Sequence, residues 1–286
     1  MEILRARTAG FCMGVSLALQ KLDAALRDYP DRRICTLGPL IHNPQVLADY
    51  AARGVVCLDD TSPTGPGDCV VIRAHGIPRE QEERIRASGA LIVDATCPRV
   101  KRAQLAIGRA TREGAPLFLF GEADHPEVRG LVSYARGAAH VFGSLEEMEK
   151  LPVTGSACVL ASQTTQDRSI FDAVQARLQE RAGANAGQLT VLATICDATR
   201  ERQEEARTIA GQAEAMVVVG GRQSGNTRRL ADVAAACGIP TFHVETAGEL
   251  NAGDFAKKSC VALTAGASTP KSLIDAAEDF LRCVQS

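Results

Sequence analysis

The sequence predicts an α/β protein made of three similar modules with mostly parallel sheets, and three observations carry the prediction. Short β-branched or apolar runs alternate with amphipathic stretches. Unusual polar motifs fall just after those runs, and three of the 10 cysteines stand at strand-to-helix junctions. At 286 residues the chain exceeds what one core usually organises, so two or three domains are expected.

In chain order, strand-like runs lie at residues 34–37, 69–73, 91–94, 117–120, 157–161, 190–193, 216–219, 241–244 and 260–264. Helical periodicity covers 15–27, 44–53, 78–88, 99–113, 168–182, 199–213, 226–237 and 270–283. Several helices open with proline near the first turn, and Gly38, Gly76, Gly121 and Gly220 mark strand exits. Cys12, Cys97 and Cys196 are 85 and 99 residues apart, each near the start of a predicted helix. They therefore mark corresponding points in three modules, expected at 1–97, 98–195 and 196–286, in a three-lobed molecule with cysteines at its centre.

Composition narrows the function classes. The net charge of −2, with both signs spread along the chain, offers no general surface for nucleic acid or an acidic membrane. The first residues lack the regions of a secretory signal, and no apolar run approaches a membrane span, so a cytoplasmic location is expected. In that reducing compartment the cysteines do not form a disulfide framework, and close CxxC pairs are absent.

Cysteine is among the most buried residue types, and an inert core role is the reading for Cys35, Cys57, Cys69, Cys158, Cys237, Cys260 and Cys283. Cys12, Cys97 and Cys196 differ by sitting in loops beside Gly, Pro or Asp. Spacing alone leaves structure and a shared iron–sulfur cluster as alternatives; three thiolates on a 4Fe-4S cube would leave one iron open.

The polar motifs include the neighbourhoods of His42, His75, His125, Thr164, Ser224 and Ser268. Ligands of open α/β sheets bind at the carboxyl ends of strands, so one pocket can collect them. The three loop histidines suit phosphate oxygens, with zinc as the rival; His140 and His243 read as structural. Pro126 biases His125 toward extended backbone, which would turn His125 and Glu127 to one side. Glu127 is then a candidate proton donor, against a plain helix-start glutamate. Thr164 with Thr165, Ser224 with Gly225, Asn226 and Thr227, and Ser268 with Thr269 read either as helix caps or, with backbone N–H groups, as a neutral cradle suited to a diphosphate. No Walker loop or well-placed GxGxxG favours a nucleotide.

At this point GFCMGV, GPLIHNPQV, AHG, DATCP, GEADHPEV, SQTT, ICDATRERQ, VVGGRQSGNTRRL and TAGASTP fall in one order over nearly the whole chain. In these motifs the sequence resembles the 4-hydroxy-3-methylbut-2-enyl diphosphate reductase (LytB) family. The resemblance implies a trefoil of three α/β domains around a central 4Fe-4S cluster held by Cys12, Cys97 and Cys196, also found as 3Fe-4S when the labile iron is lost. It implies that His42, His75 and His125 lie at the substrate's diphosphate, that Ser224, Asn226 and Ser268 bind it, and that Gly225 offers at most a backbone contact. Thr164 and Glu127 would stand near the substrate hydroxyl, with Glu127, His125 and Thr164 as the catalytic set. The implied activity is reductive removal of an allylic hydroxyl, the last step of the non-mevalonate isoprenoid pathway. Electrons would come from an external reduced ferredoxin or flavodoxin, since no flavin or nicotinamide site is evident. A cluster-dependent dehydratase, a cluster-bearing sensor and a purely structural protein are the rivals.

Overall fold

The computed structural model describes residues 1–153, 157–184 and 188–284. The chain opens with β1 (Glu2–Arg5), α1 (Met13–Asp28), β2 (Arg33–Leu37), α2 (Pro44–Ala52), β3 (Val56–Leu58) and β4 (Asp68–Ile72). It continues with α3 (Arg79–Ala87), β5 (Leu91–Asp94), α4 (Pro98–Ala110), β6 (Leu117–Phe120), α5 (Pro126–Val132) and β7 (Ala139–Phe142). Then come α6 (Leu145–Glu149), β8 (Ala157–Ser162), α7 (Arg168–Ala184), β9 (Gln188–Val191) and α8 (Asp197–Ala210). The last elements are β10 (Ala215–Val219), α9 (Gly225–Ala235), β11 (Thr241–Val244), β12 (Cys260–Ala265) and α10 (Lys271–Cys283).

Every pairing among the described strands is parallel, in sheets ordered β1-β12-β10-β11, β3-β2-β4-β5 and β7-β6-β8-β9. The α/β class with parallel sheets is therefore as the sequence predicts. The chain divides into two compact units, one of residues 1–16, 41–52 and 197–286, the other of residues 17–40 and 53–196. The first holds the β1-β12-β10-β11 sheet and the second holds the other two.

In the first unit the sheet is covered on both faces, as a parallel sheet must be. Val217, Val219, Val261 and Leu263 pack against Ile274, Ala277 and Leu281 of α10. The alternate residues Met216, Val218 and Ala262 pack against Ala206 of α8 and Leu230 and Val233 of α9. In the second unit Phe118, Phe120 and Leu160 meet Phe171, Val174 and Leu178 of α7. Leu117, Leu119 and Val159 meet Ala103 and Ile107 of α4 and Val128 and Leu131 of α5. Burying such a side chain contributes about 1.5–3 kcal/mol. Thus α4 follows the last strand of one sheet and packs on the next, fixing its first residues between the strand exits of both.

Three strands escape the apolar-run reading, β1, β3 and β7, and each is a sheet edge. β1 carries Glu2 and Arg5 at its ends, β3 is only three residues long and β7 carries His140, so no continuous apolar run announces them. The predicted strand at 190–193 lies at 188–191 instead, because its register against β8 runs from Ala157–Gln188 to Leu160–Val191.

Candidate functional site

In the second unit the strand exits form one continuous chain of contacts. Leaving β9, the Cys196 N–H donates to the Thr164 carbonyl at 3.0 Å, just past β8. The Thr164 backbone N–H and hydroxyl both donate to Glu127, at 2.6 Å to Oε1 and 3.0 Å to Oε2. The Glu127 N–H donates to His125 Nδ1 at 3.1 Å, so a neutral His125 carries its proton on Nε2. The His125 ring meets His75 edge-on, with centroids 5.3 Å apart. Beside His75, the Ala74 carbonyl accepts the Cys97 N–H at 2.9 Å.

Local sequence explains each link. Pro126 occupies the first position of α5, and His125 caps it with extended backbone at φ −69°. Glu127 therefore lies on the first helical turn rather than in an extended run, and its tie to His125 is a cap bond. Gly76 has φ +71°, and a Cβ there would come within 2.7 Å of Gln104 Nε2, so only glycine lets the chain turn at His75. Asp94 accepts the Thr96 N–H at 2.9 Å, setting the turn that presents Cys97.

Glu127 is 1 % exposed. Burial pushes its carboxyl up to about 7, against the opposing pull of the backbone and hydroxyl bonds from Thr164. A group poised there exchanges a proton near neutral pH. The Thr164 hydroxyl donates to Glu127 when it is ionised and accepts when it is protonated, which makes the pair a relay.

The first unit holds a neutral counterpart. Ser224 caps α9, its hydroxyl accepting the Thr227 N–H at 3.3 Å, which leaves the N–H groups of the first helical turn, Gly225 and Asn226 among them, pointing outward. Asn226 is 7 % exposed, and its buried Nδ2 has no partner among the described residues. A buried donor without an acceptor costs roughly 1–3 kcal/mol, which an anionic ligand would recover. His42 approaches the same loop: a Cβ on Gly221 would stand 2.6 Å from the His42 carbonyl. Buried Ser268 follows Ala267, whose carbonyl accepts the Cys12 N–H at 3.1 Å.

Cys12, Cys97 and Cys196 each stand immediately before a helix, α1, α4 and α8, and each is half-buried. The Val15 N–H reaches Cys12 Sγ at 3.5 Å. By contrast Cys35, Cys69 and Cys158 are buried in strands, and burial pushes their thiols up, Cys35 to about 11. The His140 ring lies tilted against Phe118 with centroids 5.2 Å apart, and His243 Nε2 bonds the Gly220 carbonyl at 2.9 Å, both within strands.

Arg202, to which the sequence reading gives no role, and Thr227, read there with Ser224 as a cap or cradle residue, support these loops. Arg202, buried on α8, donates to the Gly10 carbonyl at 2.6 Å and so braces the turn ahead of Cys12. Thr227, fully buried beneath the Ser224 cap, packs against the glycines leaving β10 and β12. Both occur inside quoted motifs, yet only the packing separates them from ordinary helix residues.

Residues 3–282 match the family model described as LytB protein. The chain is 63 % identical to the 4-hydroxy-3-methylbut-2-enyl diphosphate reductase of Desulfovibrio desulfuricans, covering 98 % of this chain and 99 % of that one. A solved structure of (E)-4-hydroxy-3-methyl-but-2-enyl diphosphate reductase, described as the terminal enzyme of the non-mevalonate pathway, aligns with a TM-score of 0.70 at 36 % identity, covering 99 % of both chains. The corresponding reductase of Plasmodium falciparum shares the fold with a TM-score of 0.91 at 22 % identity, covering 100 % of this chain and 88 % of that one. With nearly its whole length matched by the family model, the chain belongs to the LytB family.

Proposed function

We propose that the chain reduces 4-hydroxy-3-methylbut-2-enyl diphosphate to isopentenyl and dimethylallyl diphosphate, the last step of the non-mevalonate pathway. The observation that carries this reading is Glu127, buried, held near neutrality and bonded twice to Thr164. Removing an allylic hydroxyl as water takes two electrons and two protons, and a proton source shielded from bulk water is what the reaction asks of the protein.

Cys12, Cys97 and Cys196 would hold the 4Fe-4S cluster, three ligands leaving one iron open, and a 3Fe-4S form is the same site without its labile iron. Three free, half-buried thiols, each at a helix start, suit such a group. When bound, the cluster supplies single electrons and a Lewis-acidic iron for the substrate hydroxyl.

Protonated Glu127 passes its proton through the Thr164 hydroxyl to the leaving oxygen, and His125 holds the Glu127 backbone in place. His125 and His75 offer ring N–H groups to the diphosphate. Ser224, Asn226, Ser268 and the Gly225 N–H, joined by His42, bind the diphosphate. This cradle neutralises charge by dipoles and N–H groups rather than by lysine or arginine. Electrons come from a separate reduced ferredoxin or flavodoxin, and a cytoplasmic location belongs to the same reading. No helix among the described residues is long and apolar enough to cross a membrane.

Anaerobic turnover of cluster-loaded protein with a viologen reductant is the test. Formation of both five-carbon diphosphates in proportion to electrons consumed is expected. Failure to form either overturns the reading, and product without reductant would make the protein a dehydratase.

A further inference from the structure

Helix α4 carries Arg99, Lys101, Arg102 and Arg109 and no acidic residue, in a chain whose net charge is −2. Its inner face is spent on the core through Ala103 and Ile107. Its outer face keeps Arg102 and Arg109 exposed and leaves Leu105, 49 % exposed, between them. Arg102 and Arg109 lie three residues before and four after Leu105, so all three share one side of the helix. Arg99, Arg102 and Arg109 line one wall of a cleft of about 330 Å³ whose other wall runs from Val191 to Cys196, and no acidic residue lines it.

We infer that this α4 face is the docking surface for an acidic one-electron carrier protein. The inference rests on the proposed function, because it takes Cys196 as a cluster ligand and deepens that reading by locating electron entry. An apolar residue ringed by like charges is the make-up of a transient interface: the charges steer the partner in, and the small apolar centre lets it leave. Only an acidic partner complements the face. Cys196 is itself one of the residues lining the cleft, so a carrier held on this face stands beside a proposed cluster ligand. Each encounter oxidises one carrier by one electron, and two encounters, with two protons, balance the loss of the hydroxyl as water.

The test uses the R102E/R109E double variant of the full-length protein, both positions being exposed and outside the binding and catalytic set. Two readouts apply: the Kd of an oxidised acidic ferredoxin by isothermal titration, and turnover driven either by that ferredoxin, reduced, or by a viologen. The expected result is a Kd and a ferredoxin KM raised about tenfold or more, both steeply salt-dependent in the wild type, with viologen-driven turnover unchanged. A ferredoxin Kd equal in variant and wild type overturns the docking face while leaving the enzyme reading intact. Loss of viologen-driven turnover in the variant also overturns it, since the arginines would then serve the reaction rather than the carrier. A wild type with no viologen-driven turnover removes the enzyme reading itself, and the docking face with it.

Discussion

The two units solve opposite electrostatic problems with the same local device, a polar loop leaving a parallel strand and capping a helix. In the second unit the loop after β6 buries an ionisable group, Glu127, and holds it near neutrality. In the first unit the loop after β10 buries only neutral groups, Ser224, Asn226 and Thr227, and leaves an amide donor unmatched. One loop holds a group that titrates near neutral pH, the other a buried donor without an acceptor among the described residues. The difference predicts that substitutions in the second unit alter turnover and pH dependence, while those in the first alter affinity.

The largest expected effect is at the titrating group. Glu127→Gln keeps an acceptor for the Thr164 N–H but has no proton to give, so kcat should fall roughly 10²–10⁴-fold with KM little changed. Steady-state kinetics with a viologen reductant check it, and unchanged kcat would remove Glu127 from the reaction. The same variant sharpens the comparison thermodynamically. The folded carboxyl sits at about 7 against an ordinary 4.5, so between those values the folded state binds more protons than the unfolded one. The stability Glu127 contributes is complete below about pH 4.5 and is lost as pH rises through about 7. The loss should approach about 3 kcal/mol by pH 8 and be absent in Glu127→Gln. Thermal unfolding of both proteins at pH 5 and pH 8 should show the wild type losing more.

This contrast also marks how far the sequence alone reaches. The central strands β4, β6 and β10 are buried at every residue, and such runs are visible without a structure. The edge strands β1, β3 and β7 are not, since β3 has only three residues and charged or imidazole side chains interrupt the other two. The three junction cysteines stand out by their punctuation, and the structure puts each directly before a helix. The pairing of β1 with β12 joins residues about as far apart as the chain allows, and no local periodicity encodes it. The charge state of Glu127 was likewise out of reach: a glutamate at a helix start is ordinary in sequence, and only packing under β6 and β8 removes its water. Arg202 is hidden for a related reason, because its partner at Gly10 is 192 residues away.

A smaller effect is expected in the neutral cradle. Asn226→Ala removes the unmatched amide, and a hydrogen bond to a charged group is worth about 1.5–3 kcal/mol. KM for the diphosphate should rise about 10–100-fold with kcat nearly kept, and pyrophosphate inhibition should weaken in parallel. A selective fall in kcat would instead place Asn226 among the reacting groups and dissolve the distinction between the units.

The finest test separates the two bonds that Thr164 makes to Glu127. Thr164→Val keeps the backbone N–H that donates to Oε1 and deletes the hydroxyl that donates to Oε2. Both bonds favour the ionised carboxylate, so losing one leaves desolvation less opposed and moves the Glu127 carboxyl further up. A bond worth about 1 kcal/mol corresponds to a shift of just under about one pH unit. The alkaline limb of kcat, on which protonated Glu127 is lost, should therefore move to higher pH by that amount. With the proposed proton relay running through the same hydroxyl, the plateau of the profile should drop as the limb moves. Thr164→Ser restores the hydroxyl and should return both features toward the wild type. If the limb moves while the plateau stays, Thr164 only tunes the acid; if the plateau falls with the limb fixed, the hydroxyl carries the proton without setting its donor.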